Sequence, residues 1–331
     1  MLAAKLLLAQ GLEVIGVCFE SNFYSCAKAK IAAEQIGIEL KVVDISKEML
    51  DLVKNPPTGY GKHLNPCLDC HGLMVKSVFA KATTDKDGAI VATGEVLGQR
   101  PFSQTRPSLK KVEKLAGCEI LRPLSAKLLP ETEAEKKGLV NRGRLLNIKG
   151  RNRERQMELA KKFKIKEYPN PAGGCLLTDQ KFSERLMKML DYWPECTPSD
   201  VELLKWGRVF WVTLKALKDS KRSQKVLIVV GRNKEECEKL EKLAKIGDVV
   251  MELRDIKGPL TVVRFSIADF RLPIDKLKLD ISKELKMGEL KLGEKKNEKE
   301  ILEIAGLLIG WYAVKARGKK VSLDFRLPID N

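Results

Sequence analysis

The sequence predicts an α/β domain built on a parallel sheet, followed by a second domain of the α+β class. Strand-like and helix-like segments alternate over the first 125 residues, which is typical of a parallel sheet with helices on both faces. From about Val209 onward the order of strands and helices favours an α+β unit instead. The length of 331 residues also exceeds what one ordinary core accommodates, so more than one domain is expected.

The first domain is predicted to span residues 1–165 and opens on a core-facing helix. Its strands are predicted at residues 12–19, 40–45 and 89–94. Its further helices are predicted at residues 26–36, 47–53 and 73–83. The carboxyl ends of parallel strands meet at one edge, where ligands bind, and Phe19, Asp44 and Thr93 fall at such ends.

A connecting segment, residues 166–207, carries Cys175 and leads to the second domain, residues 208–331. The strands of this domain are predicted at residues 210–213, 226–230, 249–253 and 259–265. Its helices are predicted at residues 235–244 and 298–316.

The charge balance indicates a polyanionic partner. Sixty-one lysine and arginine residues against 44 acidic ones give a net charge of +17, which favours nucleic acid over a membrane because no lipid-anchoring helix is evident. A lysine-rich surface of the thermophilic kind is the alternative. No apolar run approaches the ~18 residues of a membrane span. The start of the chain contains Lys5 and lacks the basic flank of a signal peptide, so we expect a cytoplasmic protein.

Basic residues concentrate between positions 130 and 155, where glycines interrupt the helical pattern. A loop that contacts phosphates and a solvated helical face are both consistent with this composition. The residues predicted to contact RNA phosphates are Arg142, Arg144, Arg151 and Arg153.

The eight cysteines are too sparse for a disulfide scaffold, which favours a reducing compartment. Cys18, Cys118 and Cys237 lie in apolar or helical patterns and are expected to be small core residues. The patterns around Cys26 and Cys196 leave their roles undecided.

The pair Cys67-Leu68-Asp69-Cys70 and the later Cys175 are the main candidates for chemistry. Three thiolates at one place could hold three irons of a four-iron cluster and leave the fourth iron open. The pair is equally half of a zinc site, with His71 beside it as a possible ligand, or a redox dithiol. Three unrelated buried cysteines are the fourth possibility, and the spacing does not choose among them.

Three motifs together resemble the PP-loop tRNA thiouridine synthases, ATP-dependent sulfurtransferases of the MnmA and ThiI type, over roughly residues 1–210. The motifs are Asn65-Pro66-Cys67-Leu68-Asp69-Cys70-His71, Ala92-Thr93-Gly94-Glu95-Val96-Leu97-Gly98-Gln99-Arg100 and Pro171-Ala172-Gly173-Gly174-Cys175-Leu176-Leu177-Thr178-Asp179. The second domain is similar to the RNA-binding NFACT-R domain in Val230-Gly231-Arg232-Asn233, Asp255-Ile256-Lys257-Gly258-Pro259 and Ala305-Gly306-Leu307-Leu308-Ile309-Gly310-Trp311-Tyr312.

The resemblance implies a Rossmann-like PP-loop fold and sulfur transfer to a uridine carbonyl of tRNA after activation by ATP with Mg²⁺. It implies that Cys67, Cys70 and Cys175 hold a [4Fe–4S] cluster, or that Cys70 and Cys175 act as persulfide carrier and resolving thiol. It also implies a sulfur donor, either sulfide or a persulfide carrier. The implied nucleotide contacts are Phe19, Thr93, Gly94, Glu95, Gln99 and Arg100.

The sequence departs from this family in one respect. The family's pyrophosphate-binding loop, Ser-Gly-Gly-x-Asp-Ser, and the strand before it are absent, and the helix at Met1 looks like the one that follows the loop. We expect that the chain is truncated at this point, rather than that the protein has lost its ATPase chemistry. The chain as given would then be inactive in adenylation because it lacks the loop. A non-catalytic RNA-binding protein with structural zinc and a PP-loop enzyme that forms an amide bond are the alternatives.

Overall fold

A computed structural model describes residues 1–85, 89–168, 174–214, 224–265, 295–316 and 322–328. The chain divides into two compact units, Met1–Ser183 and Glu184–Asn331. The division falls inside the predicted connecting segment, residues 166–207. The mixed α/β character of the chain is confirmed, with a parallel sheet in the first unit and a separate, largely antiparallel sheet in the second.

The N-terminal unit contains a two-stranded parallel sheet of β1 (Gly16–Glu20) and β2 (Leu40–Asp44), with Gly16 opposite Leu40. Its helices are α1 (Leu2–Leu8), α2 (Ala27–Ile36), α3 (Ser46–Lys54), α4 (Cys67–Asp85), α5 (Arg106–Ala116), α6 (Glu133–Lys136) and α7 (Glu154–Lys162). Helix α8 (Gln180–Tyr192) crosses the division, and 3-10 turns lie at Ala126–Leu128, Arg142–Arg144 and Leu176–Thr178.

The predicted strand at residues 89–94 is much shorter than expected. Only Ala92 forms a parallel bridge, with Leu121, through hydrogen bonds of 2.9 Å from Thr93 N–H to the Leu121 carbonyl and from Leu121 N–H to the Val91 carbonyl. A cavity separates this segment from β1. A continuous sheet therefore does not form across the described part of the unit.

Capping residues explain where the helices of this unit begin and end. Helix α2 ends at Gly37, whose φ of 71° lies in the left-handed region that glycine tolerates. Helix α5 begins after Thr105, whose hydroxyl accepts the Ser108 N–H. Helix α5 then packs Val112 against α4 and so supports the helix that carries the cysteine pair.

The C-terminal unit is an α+β domain, as predicted. Its strands are β3 (Arg208–Leu214), β4 (Gln224–Val230), β5 (Val249–Leu253), β6 (Thr261–Phe265), β7 (Lys295–Lys296) and β8 (Leu323–Arg326). They form a six-stranded sheet in the order β7-β3-β4-β6-β5-β8, antiparallel except for the β3–β7 pair. Helices α9 (Pro198–Leu203), α10 (Lys234–Leu243) and α11 (Glu298–Tyr312) accompany the sheet. The apolar face of α11 buries Ile301, Ala305 and Leu308 in the core.

A buried arginine stabilises this unit. The Arg264 side chain is 1% exposed and donates two hydrogen bonds, of 2.8 and 2.7 Å, to the carboxylate of Asp248. It also donates to the Asp200 carboxylate at 3.0 Å. Loss of the guanidinium would leave the buried Asp248 carboxylate without its main cationic partner, while Asp200 would keep its ion pair with Lys245.

We expect Arg264→Ala to lower the free energy of unfolding by about 3–5 kcal/mol, because an unpaired buried charge remains. Urea unfolding followed by tryptophan fluorescence measures this unit selectively, since all four tryptophans lie beyond residue 184. The matched control is Arg254→Ala, which removes an exposed pair with Asp324 and should cost at most about 1 kcal/mol. Equal losses in the two variants would contradict the assigned role of Arg264.

Candidate functional site

Helix α4 presents the cysteine pair. The helix begins at Cys67 rather than near residue 73 as predicted, so Cys67 and Cys70 both lie in its first turn. Their spacing of three residues places the two thiols on one face. The unbonded N–H groups of a first turn and the helix dipole favour negative charge there, which lowers the energy of thiolates.

Two contacts hold the first two turns of this helix. The Asp69 carboxylate accepts hydrogen bonds from the Thr58 N–H at 3.0 Å and from its hydroxyl at 2.7 Å, which holds the preceding loop. Gly72 lies against Leu115 of α5, where a Cβ would come within 2.7 Å of the Leu115 Cβ. A glycine at this position weakens a helical pattern in the sequence, which explains why the helix was predicted to start later.

Cys175 is held by its own segment. The Leu176 N–H donates to the Phe23 carbonyl at 2.9 Å, and the Thr178 hydroxyl donates to the Cys175 carbonyl at 2.7 Å. Gly174 has a φ of 106°, a backbone conformation in which a residue with a side chain would be strained. The predicted turn therefore requires glycine at this position. The rest of that turn, residues 169–173, lies outside the described residues.

The structure brings the three predicted cysteines together. The Cys70 thiol interacts electrostatically with those of Cys67 and Cys175, and Cys175 interacts with Cys67. Within the described part of the chain, however, no group of three or more His, Cys, Asp or Glu side chains is arranged to hold a metal ion. The thiols are therefore neighbours without being preset around one metal.

Burial dominates the chemistry of these thiols. It raises the pKa of Cys70 to about 12 and that of Cys175 to about 11, and it also raises the pKa of Cys67. The Tyr24 hydroxyl, 3.6 Å from the Cys70 sulfur, and Arg100 near Cys67 oppose this by stabilising the thiolate form. At neutral pH the three groups are thus protonated thiols, and a soft metal or an activating group would have to displace the protons.

Tyr24 lies in a loop that the sequence reading missed. Cys18 was expected to be a core residue, but it is half-buried and forms a disulfide with Cys26 that closes this loop. The end of β1 and the start of α2 bring the two Cα atoms to 5.9 Å, within the range that a disulfide needs. The only sequence signal was the position of both cysteines next to the predicted strand end.

A second polar network centres on Glu95. Its carboxylate accepts from Arg122 Nε at 3.0 Å and from the Thr93 hydroxyl at 3.1 Å, and it lies 3.2 Å from His71 Nδ1. Burial alone would raise the pKa of Glu95, but the His71 and Arg122 contacts outweigh it and lower the pKa. Glu95 is therefore an anion at neutral pH, and it fixes the Thr93 turn.

Arg122 is a second residue that the sequence analysis did not identify. It is 3% exposed, and its position within the apolar run from Ile120 to Leu124 was the available signal. A charged residue inside a buried run needs a partner, and Glu95 supplies it.

The predicted nucleotide contacts divide between two places. One cavity of about 550 Å³, between β1 and the segment around Ala92, is lined by four of them: Phe19, Thr93, Gly94 and Glu95. Gln99 does not line it and instead donates to the Gln156 side chain at 3.0 Å. Arg100 interacts with Cys67 and so belongs to the thiol site. A second cavity of about 400 Å³ adjoins Gly94.

The four predicted RNA-contacting arginines differ in accessibility. Arg142 is occupied by the Glu135 carboxylate, at 2.7 Å, and by the Leu129 carbonyl. Arg144 is exposed and pairs with no carboxylate among the described residues, although it donates to the Ala9 carbonyl. Arg151 is exposed, whereas Arg153 is half-buried and lines the second cavity. Arg144 and Arg151 are therefore the better placed of the four to meet a phosphate.

None of the family models, curated proteins and solved structures with which the chain was compared matches it. None of the described helices combines the length with the apolar character that a membrane crossing needs.

We expect iodoacetamide to alkylate Cys70 of the metal-free protein at least about tenfold more slowly than free cysteine at pH 8, because its raised pKa leaves little thiolate. The rate should rise with pH up to about 12. Tyr24→Phe removes the hydroxyl that stabilises the thiolate, so alkylation should slow further. Mass spectrometry of the Cys70 peptide measures both rates.

The control for this experiment is Tyr60→Phe, since the Tyr60 hydroxyl donates to the Val53 carbonyl at 2.6 Å and not to a thiol. Rapid alkylation of Cys70 at pH 8, or an equal effect of the two tyrosine variants, would contradict the assignment.

Proposed function

We propose that the N-terminal unit is the sulfur-transfer centre of a tRNA thiolation enzyme, with a uridine carbonyl as the acceptor. The observation that carries the proposal is the meeting of Cys67, Cys70 and Cys175, which come from two distant segments of the chain. Soft thiol donors gathered at one place suit sulfur chemistry better than hydrolysis or hydride transfer.

The number and the softness of the three thiols suit an iron–sulfur cluster of the [4Fe–4S] type, which would have to draw them together because the described residues hold no preset metal site. Three thiols match a cluster with one open iron. The first turn of α4 favours the anionic form of two of them, Cys67 and Cys70. When bound, such a cluster would supply a sulfide at its open iron. A zinc site would need a fourth ligand, and His71 could supply Nε2 while its Nδ1 contacts Glu95.

The chain's own residues have separable roles in this proposal. Phe19 and the Thr93–Glu95 turn line the cavity proposed to hold the nucleotide with its Mg²⁺, and Arg100 offers positive charge beside Cys67. In the overall reaction the uridine oxygen attacks the α-phosphorus of ATP and pyrophosphate leaves. Sulfur then attacks the activated carbon and AMP departs with the oxygen.

The residues of the pyrophosphate-binding loop are not in this sequence. The step that the present residues support is therefore sulfur delivery, and adenylation is not assigned to any of them. In the persulfide version, Cys70 and Cys175 would be carrier and resolving thiol. A persulfide donor would transfer its outer sulfur to the carrier thiolate and leave as a thiolate, whereas free sulfide would serve only the cluster version.

The charge of the chain supports tRNA as the substrate. A net charge of +17 favours a polyanion, and the exposed Arg144 and Arg151 lie in the basic segment. We propose that the C-terminal unit contributes further RNA contacts, on the basis of its resemblance to NFACT-R domains.

Anaerobic purification followed by iron, sulfide and zinc analysis tests the cluster. We expect about four irons per chain and absorption near ~400 nm, both lost in Cys67→Ala, Cys70→Ala and Cys175→Ala. Cys118→Ala is the control, because Cys118 is a free thiol whose electrostatic neighbour is Glu113 and not one of the three cysteines. Stoichiometric zinc in colourless protein would instead favour the RNA-binding alternative. Metal-free protein would leave only the persulfide route.

We expect Arg144→Ala/Arg151→Ala to lower tRNA affinity roughly tenfold near 0.1 M salt and to reduce the salt slope by about two, because two phosphate contacts are lost. Arg142 is left intact since it pairs with buried Glu135. Fluorescence anisotropy with labelled tRNA measures both quantities.

The matched control for the arginine pair is Lys110→Ala/Lys111→Ala, which removes the same charge from exposed positions of α5. If the two double variants lost equal tRNA affinity, the effect of the arginines would be one of overall charge and not of specific phosphate contacts.

A further inference from the structure

Two exposed aromatic rings lie on loops that adjoin the thiol site. Tyr60 belongs to the loop of residues 55–66, which connects α3 to α4 and ends at Cys67. Phe102 belongs to the turn of residues 98–104, which precedes α5. The Tyr60 and Phe102 side chains are 41% and 48% exposed. Single apolar residues are common on protein surfaces, but two exposed rings at one place indicate a contact surface.

The two loops touch each other. A Cβ placed on Gly61 would lie 3.1 Å from Cε1 and 3.3 Å from Cδ1 of Phe102, so the Phe102 ring lies against the Gly61 backbone, one residue from Tyr60. The Gly61 N–H donates to the Asn65 carbonyl at 2.7 Å and closes a short turn. Residues 62 and 63, at the tip of this turn, are exposed.

Hydrogen bonds fix both rings in place. The Tyr60 hydroxyl donates to the Val53 carbonyl at 2.6 Å, which holds the far end of its ring. The Phe102 carbonyl accepts from the Ser108 hydroxyl at 2.7 Å, at the start of α5. Rings that are already positioned lose little conformational freedom when a ligand binds. The pair is therefore a preorganised aromatic surface.

This surface adjoins the thiols through both loops. The loop of residues 55–66 runs directly into α4, where the Cys70 N–H donates to the Pro66 carbonyl at 2.9 Å. In the other loop, Arg100 lies two residues before Phe102 and interacts electrostatically with the Cys67 thiol. A ligand held on the two rings is therefore close to the first turn of α4.

We propose that Tyr60 and Phe102 form a stacking site for unpaired bases of the RNA substrate. Aromatic faces hold the splayed bases of single-stranded RNA, whereas the bases of a duplex stack on one another. Exposed Lys62 and His63 beside the rings add a cation for phosphate and a third ring. The inference rests on RNA being the substrate, as in the proposed function.

The site narrows the class of substrate. Every base has a face that stacks, so the two rings select unpaired over paired nucleotides without selecting one base. The acceptor uridine is thereby assigned to a single-stranded segment of the RNA, such as a tRNA loop, and its neighbours in that segment occupy the rings.

The first test measures fluorescence anisotropy with a labelled RNA of alternating cytidine and adenosine, about twelve nucleotides long, alone and annealed to its complement. Phe102→Leu keeps an apolar side chain but removes the ring. We expect it to weaken binding of the single strand at least about fivefold, because one stacked base is lost, and binding of the duplex less than twofold. Tyr60→Leu should act in the same way.

Three variants serve as controls for the stacking effect. Phe102→Tyr keeps the ring, and Tyr60→Phe keeps the ring while losing only the bond to Val53. Tyr168→Leu removes a ring of similar exposure, 42%, from another segment of the same unit. All three should bind the single strand within twofold of the unaltered protein. Circular dichroism establishes that each variant folds.

The second test locates the RNA on the unaltered protein. A single strand with a central 5-iodouridine is irradiated in the complex, and mass spectrometry identifies the residues to which it cross-links. We expect cross-links to Tyr60 or Phe102. The bound strand should also slow alkylation of Cys67 by iodoacetamide at least twofold and leave Cys118 unchanged, both being half-buried free thiols.

Several results would overturn the proposal. Equal losses for single strand and duplex would make the rings part of a general surface, and cross-links confined to other segments would place the bases elsewhere. If tRNA affinity survived both leucine variants, this inference would be wrong and the proposed function would stand. Absence of RNA binding by the unaltered protein would contradict both. If the leucine variants do not fold, the cross-links decide the question alone.

Discussion

The main-chain hydrogen bond from the Leu176 N–H to the Phe23 carbonyl is the contact on which the candidate site depends. It ties the Cys175 segment to the loop that the Cys18–Cys26 disulfide closes. The same loop places the Tyr24 hydroxyl at the Cys70 sulfur. One bond thus joins two parts of the chain that are remote in sequence, and the three thiols become neighbours as a consequence.

The site combines buried thiols with features that favour thiolates. Burial raises the pKa of all three cysteines, whereas the first turn of α4, Arg100 and the Tyr24 hydroxyl favour the anionic form. Such a balance keeps the thiols inert when they are protonated and makes them good ligands once a soft metal displaces the protons. Glu95 takes no part in this balance, and its carboxylate is charged at neutral pH because its pKa is lowered.

The sequence was informative where a local pattern determines the structure. Gly37 marks the end of α2, and apolar periodicity located α10 and α11 to within a few residues. The sequence was less informative where contacts between residues far apart in the chain determine the structure. The first two turns of α4 are held by Thr58 and Leu115, which lie in other segments. The disulfide depends on how β1 meets α2. The segment at residues 89–94 forms one bridge because a cavity lies beside it. Tyr24 and Arg122 carry no motif, so only the fold identifies them.

The measurement that tests the central claim most directly is thiol bridging in the metal-free protein. Dibromobimane alkylates one thiol with each of two short arms and fluoresces only after both have reacted, and peptide mapping then identifies the bridged pair. The account predicts that Cys175 is bridged to Cys67 or Cys70, while Cys118 and Cys237 remain unbridged. A bridge confined to Cys67 and Cys70, with Cys175 alkylated singly, would contradict the convergence of the three cysteines.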